Sequence, residues 1–483
     1  MIWSVLQQVG GQAATMLVFF ALAALLPPSD FGLIGMAAAW LALLSAFGET
    51  GFGAAIIQRE QLRKEHLSST FGINLGMGLV LTAVGVGLSW PAAAYFRTPA
   101  LQPVMAVLSL GFVVRAFGLT QAALAQRELR FRSLAIRDLV ASVAGGCAGL
   151  GLAFAGYGVW SLVAMSLVNA VLGTFLLWQL AHWRPRVAEI SREAAGDLWP
   201  YSSRVLGFNM FKAFAQNTDR LIIGPLLGVH AVGVYTFASK VAIFPVTIFV
   251  GALGAYLFPR VARVQGDPAG VRAIYRKVMI AVLNVVLPGL AVVVALAPAA
   301  VPLLGERWRE AAPVIQVLAV AALAQAVIGP VGQLMKGLGR PGWLVIWSIG
   351  FTLVTSLALW IGVPWGLLGT SIGYVVAHVA AIPAILWIGW RLTGLGPVGL
   401  AAISWRPLVA AAALGAGLSF AVRHTAAWNR PALAIGALAV GAIYLVVLAR
   451  LNPEFTGLLV RELEKLRPSA QEPAAVAGPP PLG

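Results

Sequence analysis

The stretch Val278-Met279-Ile280-Ala281-Val282-Leu283-Asn284-Val285-Val286-Leu287-Pro288-Gly289-Leu290-Ala291-Val292-Val293-Val294-Ala295-Leu296-Ala297-Pro298 contains no charged side chain. Its apolar residues are continuous rather than alternating, so it cannot be a strand of a membrane barrel, which needs a polar lumen face. As a helix it spans about 31 Å, the thickness of a bilayer's hydrocarbon core. Working outward, thirteen more apolar runs follow the same reading, giving spans near 4–26, 31–57, 70–94, 101–125, 138–155, 159–178, 201–227, 232–257, 278–298, 311–335, 343–362, 367–389, 407–422 and 431–449. Short Gly/Pro turns such as Pro27-Pro28 and Gly362-Val363-Pro364 join many of them, which implies antiparallel neighbours.

Composition agrees over all 483 residues. Hydrophobic residues make up 60% and charged residues only 10%, where soluble proteins carry about 25% charged residues. So few charges cannot cover a core of that size, which excludes a soluble enzyme, a coiled coil and a disordered scaffold. The expected fold is an all-α polytopic membrane protein of about 14 transmembrane helices. The first run lacks a basic flank, and its exit, Pro27-Pro28-Ser29-Asp30, is no small-residue cleavage site, so no cleavable signal peptide is read. Cys147 is the single cysteine and allows neither a disulfide nor a thiolate metal cluster.

The formal net charge is +16. On a soluble chain that would suggest nucleic acid. Here the cations sort by loop. With the N-terminus cytoplasmic, 23 Lys and Arg fall in the inner loops and tail, five on the outer side, and five within or at the ends of spans. This is the positive-inside pattern, and it predicts both termini in the cytoplasm with no nucleic-acid partner.

The chain also repeats itself. At a shift of 201, Leu25-Leu26 falls on Leu226-Leu227, Gly32 on Gly233, Gly53-Ala54 on Gly254-Ala255 and Arg59 on Arg260. At 207, Pro91-Ala92-Ala93 falls on Pro298-Ala299-Ala300, and at 210 Pro103-Val104 falls on Pro313-Val314. A growing shift is what small loop insertions produce. The expected organisation is an N-lobe over 1–178 with spans 1–6, a cytoplasmic interlobe linker over 179–200, and a C-lobe over 201–390 with spans 7–12. An extra hairpin follows over 391–450 with spans 13 and 14, and then a disordered cytoplasmic tail over 451–483. Six is even, so the repeats are parallel about an axis along the membrane normal. They should form two lobes around a central cavity that rock in alternating access.

Several motifs carry a resemblance. Ala24-Leu25-Leu26-Pro27-Pro28-Ser29-Asp30-Phe31-Gly32-Leu33-Ile34-Gly35-Met36 resembles the first hairpin of polysaccharide-export flippases. Gly48-Glu49-Thr50-Gly51-Phe52-Gly53, Gln126-Arg127-Glu128-Leu129-Arg130-Phe131-Arg132 and Gly156-Tyr157-Gly158-Val159-Trp160 are also similar to that family, as is Asn217-Thr218-Asp219-Arg220. This is the oligosaccharide-flippase branch of the multidrug/oligosaccharidyl-lipid/polysaccharide exporter superfamily, near its colanic-acid and teichuronic-acid exporters. The resemblance implies a bacterial inner-membrane flippase and not an enzyme. It would move an undecaprenyl-pyrophosphate-linked oligosaccharide to the periplasmic leaflet for exopolysaccharide, capsule or O-antigen export. The lipid tail would run outside the lobes beside spans 13 and 14. The implied partners are the lipid-linked oligosaccharide, membrane lipid, and a polysaccharide polymerase with its glycosyltransferases. A lipid II or multidrug exporter of the same superfamily is the alternative. A membrane glycosyltransferase or polymerase fits worse, because no long extramembrane loop could house a catalytic site.

Charges within a bilayer are expensive and usually face a cavity or pair. In span 7, Arg204, Phe208, Lys212, Gln216 and Asp219 share one helical face, a polar stripe that would line water or else be a structural ion-pair set. Span 1 matches it with Gln8, Gln12 and Thr15. Amides and hydroxyls suit sugar hydroxyls, and cations suit pyrophosphate. Arg115 lies about 21 Å into span 4 by helical rise. It is expected to contact phosphate or to pair with Glu49, which otherwise sits as a helix-end carboxylate. Asp219 and Lys240 lie at equal depth, which predicts a salt bridge, with a proton or sodium site at Asp219 as the alternative. No histidine has metal-ligand spacing, and Gly337-Leu338-Gly339-Arg340-Pro341-Gly342 lacks the Lys-Ser/Thr of a nucleotide loop. No cofactor is therefore expected, and coupling to a proton or sodium gradient stays open.

Overall fold

The computed structural model describes residues 15–48, 53, 56, 63–181, 183–189 and 191–424, and among these no strand occurs. The N-lobe helices are α1 (Thr15–Leu25), α2 (Pro28–Gly48), α3 (Lys64–Tyr95), α4 (Leu101–Arg127), α5 (Phe131–Phe154) and α6 (Val159–Leu180). One helix, Arg192–Arg263, opens the second half and is broken at Gly228 (φ 85°, ψ 178°). Its arms are α7 (192–227) and α8 (229–263). Then come α9 (Pro268–Ala300), α10 (Ala311–Gly337), α11 (Pro341–Gly362), α12 (Gly366–Thr393) and α13 (Pro397–His424). Among the described residues, ten apolar stretches are long enough to cross a membrane, and two of them contain two arms each. These elements coincide with spans 1–13 of the sequence reading. Span 14, Gln8, Gln12 and Glu49 lie outside the described residues.

The helices exceed the apolar runs at their basic ends. Span 3 was expected from 70 and α3 starts at Lys64; span 5 was expected from 138 and α5 starts at Phe131; span 9 was expected from 278 and α9 starts at Pro268. Hydropathy marks only the part of a helix that sits in hydrocarbon, whereas backbone hydrogen bonding carries the helix on into the headgroup region. Asp267 caps α9, accepting a hydrogen bond from Ala269 N at 3.0 Å, with Pro268 at the first helical position. The stretch between the apolar runs of spans 12 and 13 is mostly helix. Gly394 (φ 68°) ends α12, α13 restarts at Pro397, and Pro407 sits inside it. Proline is tolerated within membrane helices because neighbouring groups re-satisfy the freed carbonyl.

The repeat is visible in packing. A Cβ on Gly32 would overlap Val229 O, and a Cβ on Gly233 would overlap Pro28 O. Adding 201 to Gly32 and Pro28 yields Gly233 and Val229, so the two contacts exchange under the internal two-fold. Gly158 (φ 56°) before α6 and Gly366 (φ 67°) at the start of α12 are equivalent turn residues in the two halves. Two further hydrogen bonds tie the halves together. Tyr95 donates its hydroxyl to Leu221 O at 3.0 Å, while Trp308 Nε1 donates to Ala23 O at 2.7 Å.

These contacts gather at one end of the molecule, where α1 turns into α2 and α7 into α8. An aromatic plug from both lobes fills that end. Phe31 meets Trp308 edge-on at 5.3 Å between centroids, Phe237 lies 4.5 Å from Trp308, and Phe19 stacks on Phe237 at 5.6 Å. Trp308 is fully buried. Aromatic pairs of this kind contribute about 0.5–1.5 kcal/mol each beyond area burial. A second core, in the C-lobe, is built from α8, α9, α10, α12 and α13. The outer face of α11 is large and apolar, with Ile346, Leu353 and Trp360 more than 60% exposed, as a lipid-facing helix requires.

Between the lobes runs 179–200, expected as a cytoplasmic loop. It is helical from Arg192, and its middle docks on the start of α3. Ser68 Oγ donates to the Glu189 carboxylate at 2.9 Å, and Ser69 Oγ donates to Ser191 O at 3.1 Å while accepting from Ser191 N.

Candidate functional site

Among the described residues, each lobe encloses a cavity of its own. The N-lobe cavity is about 470 Å³ and is walled by α2, α3, α4 and α6. Its surface is mostly apolar, from Ile34, Ala38 and Leu81, with Ser45, Asn74 and Ser166 as small polar points. Arg115 enters it from α4. Gly111 and Ala116 line the same wall, and these small residues leave room for the guanidinium. Among the described residues Arg115 has neither a hydrogen-bond nor an ion-pair partner. The nearby cation Arg137 is spent elsewhere, donating to Gly173 O at 2.9 Å and pairing with Asp138 at 2.5 Å.

The C-lobe cavity is about 710 Å³ and more polar. Asp219 and Arg220 from α7, Lys240 from α8, Gln325 from α10, and Tyr374 and His378 from α12 converge on it. Gln325 Nε2 lies 3.1 Å from the Tyr374 hydroxyl and 3.3 Å from His378 Nε2. His378 is 2% exposed, with Nδ1 2.8 Å from Tyr374 O and its ring edge-on to Phe351 at 4.8 Å. The two cavities are repeat-related. Shifts of 201, 210 and 208 carry Ala38, Arg115 and Ala170 of the first onto Ser239, Gln325 and His378 of the second. Duplication thus yielded one chamber with a single cation and a few small polar side chains and one with several cations, amides, hydroxyls and rings.

The predicted site residues divide accordingly. Arg115 lines the N-lobe cavity, while Gln216, Asp219 and Lys240 line the C-lobe cavity. Lys212 is exposed one turn before Gln216 and lines neither. Thr15 is exposed on the first described turn of α1. Arg204 lies on α7, with its side chain outside the described residues.

The expected Asp219–Lys240 salt bridge is not present. Asp219 Oδ1 accepts from Arg220 N at 2.8 Å and pairs with the Arg220 guanidinium at 3.6 Å, both side chains largely buried (13% and 21% exposed). Arg220 Nε also reaches Thr236 Oγ1 at 3.4 Å. Lys240 lies across the lobe boundary instead, its Nζ 4.1 Å above the centre of the Phe19 ring, a cation–π contact. Equal depth put Asp219 and Lys240 in one layer, but the neighbouring arginine satisfies the carboxylate first. Sequence reasoning missed Tyr374 and Trp347. A hydroxyl and an imidazole four residues apart at 374 and 378, in the middle of an apolar span, were the available signal.

A family model described as "Polysaccharide biosynthesis protein" matches residues 21–313, more than half of the chain. The chain belongs to that family. The succinoglycan biosynthesis transport protein ExoT of Rhizobium meliloti is 26% identical over 486 residues, covering 99% of this chain and 96% of the relative. The lipopolysaccharide biosynthesis protein WzxC of Escherichia coli is 26% identical over 371 residues, 74% of this chain and 73% of the relative. Among solved structures, the lipid II flippase MurJ in an inward closed conformation superposes with a TM-score of 0.69 at 9% identity, covering 96% of this chain and all of that one. An inward-facing multidrug transporter of the MATE family gives 0.66 at 18% identity, covering 81% of this chain and 98% of the other. The fold of this family member is therefore that of the two-lobed, multi-pass transporters, and the superfamily resemblance read from the hairpin motifs holds.

Proposed function

We propose that the chain is a bacterial inner-membrane flippase that carries a polyprenyl-pyrophosphate-linked oligosaccharide from the cytoplasmic to the periplasmic leaflet. The observation that carries this reading is the guanidinium of Arg115 in the N-lobe cavity, without an ion-pair partner among the described residues. A cation within a membrane helix is expensive, and it is retained where an anionic ligand completes it. The planar guanidinium fork suits phosphate oxygens. Family membership and relatives named for succinoglycan transport and lipopolysaccharide biosynthesis support a saccharide cargo. With both termini cytoplasmic, as the loop cations indicate, the aromatic plug closes the periplasmic side, and transport requires the Gly32 and Gly233 contacts to part. A multidrug exporter for organic cations is disfavoured, because Arg115 and Lys240 would repel such a cargo.

The test is polysaccharide export in a host that depends on this chain. Arg115→Ala should abolish export at normal membrane level, and Arg115→Lys should restore part of it. Full export by normally expressed Arg115→Ala removes the anion-binding role.

A further inference from the structure

We infer that the plugged end is held shut by a latch made from missing helix donors. Pro27 and Pro28 leave two carbonyls of α1 without their helical partners, and the C-lobe fills them. Pro225 leaves one carbonyl of α7 without its partner, and the N-lobe fills it. The latch rests on the flippase reading for its role in transport but on separate residues for its chemistry.

In an α-helix each carbonyl accepts from the N–H four residues further on. Proline has no N–H, so it vacates the carbonyl four residues before it. Pro27 thus vacates Ala23 O, Pro28 vacates Ala24 O and Pro225 vacates Leu221 O. These are the carbonyls that the opposite lobe reaches. Trp308 Nε1 donates to Ala23 O at 2.7 Å and Arg307 Nη2 donates to Ala24 O at 2.6 Å, both from the short connection between α9 and α10. The Tyr95 hydroxyl, at the end of α3, donates to Leu221 O at 3.0 Å.

Bonds inside a lobe differ. Within the N-lobe, Thr174 donates to Val114 O at 3.1 Å, Trp178 to Phe117 O at 2.9 Å and Arg137 to Gly173 O at 2.9 Å. The residues four further on are Gly118, Gln121 and Leu177, inside the same helices, so these carbonyls face helical donors already. A vacancy deep in one lobe is filled from that lobe: Pro298 vacates Val294 O, and Gln316 donates to it at 3.0 Å. Nor is Pro225 needed to turn the chain. Helical geometry runs through it, and the break comes three residues later at Gly228. What Pro225 supplies is the vacancy.

The vacancies make the latch reversible. When the lobes part, a vacated carbonyl exchanges its side-chain donor for water, and neither helix loses a bond of its own. Closure is more demanding. Ala23 and Trp308 are both 0% exposed, so shutting the plug without the indole N–H in register strands a carbonyl away from water. Tyr95 and Arg307 make their bonds at the exposed rim, where water competes, and contribute less. Trp308 therefore sets the register of closure, and the two rim donors add to its strength.

The experiment is a double-mutant cycle on the purified full chain in nanodiscs. It is read by distances between spin labels at Phe154 and Trp365, one exposed position on each lobe, in a Cys147→Ser background. Tyr95→Phe removes one oxygen and keeps the ring against Trp40 and Phe96. It should raise the open-to-closed ratio about two- to fivefold, the scale of one hydrogen bond. Pro225→Ala returns a helical N–H to Leu221 O, and in that background Tyr95→Phe should leave the ratio nearly unchanged. Trp308→Phe, which strands Ala23 O, should raise the ratio about tenfold or more. Should Trp308→Phe fail to fold, the Tyr95–Pro225 cycle decides by itself. An equal effect of Tyr95→Phe with and without Pro225 overturns the inference, as does an unchanged ratio in both Tyr95→Phe and Trp308→Phe. The distances need no cargo, so the two readings fail separately. Coupling between Tyr95 and Pro225 in a chain whose loss leaves polysaccharide export intact supports the latch and refutes the flippase. No coupling, where Arg115→Ala abolishes export, refutes the latch and leaves the flippase standing.

Discussion

Replacing Gly32 and Gly233 by alanine should prise the lobes apart at the plugged end. Each new Cβ would meet a backbone carbonyl oxygen, of Val229 and Pro28 respectively, about 1 Å or more inside the 3.0 Å below which something must shift. Backbone cannot swing aside as a side chain end can, so the crossing helices must separate. Overpacking of this kind costs about 1–3 kcal/mol per site. Only the closed arrangement suffers, so each substitution should lower its population by about 5- to 150-fold relative to the open one. Because the two contacts exchange under the internal two-fold, the single variants should be similar and the double variant stronger. The readout is the distance distribution between spin labels at Trp90 and Leu226, both exposed and near the plugged ends of α3 and α7, in a Cys147→Ser background. Longer distances are expected in the variants, together with reduced export. Gly350→Ala, where nothing lies within 4 Å of the added methyl, should change neither. An unchanged distribution in the double alanine variant would refute the steric argument.

Other outcomes follow from the same geometry. A double-mutant cycle on Asp219 and Arg220, read by thermal unfolding in detergent, should show coupling of about 0.5–3 kcal/mol, whereas a cycle on Asp219 and Lys240 should show less. Equal coupling in both would restore the pairing inferred from depth alone. Phe19→Leu should weaken the hold on Lys240 and lower the unfolding midpoint more than Phe19→Leu does in a Lys240→Met background; equal shifts would exclude the cation–π contact. Reporter fusions after Gly266 and at the C-terminus should report cytoplasm and those near Arg307 periplasm, and a periplasmic C-terminus would overturn the orientation drawn from loop cations.

The sequence by itself determined the class of protein, the helices and the duplication. Each of these is local or periodic. A charge-free run such as 278–298 has no stable place outside a bilayer, and Gly32 with Gly233 recurs at a constant offset because the same close approach is made twice. The helix ends were legible only to within a turn or two, as the early starts at Lys64 and Phe131 show, since hydropathy stops where the hydrocarbon does and hydrogen bonding does not. Arg115 could be singled out by depth alone. Partners could not. Depth put Asp219 beside Lys240, yet the fold turned Arg220 onto the carboxylate and laid Lys240 over Phe19 from the other lobe. That each lobe encloses a cavity of its own also came from tertiary structure. Which helices wall each cavity is set by packing between helices far apart in sequence, and no spacing along the chain encodes that.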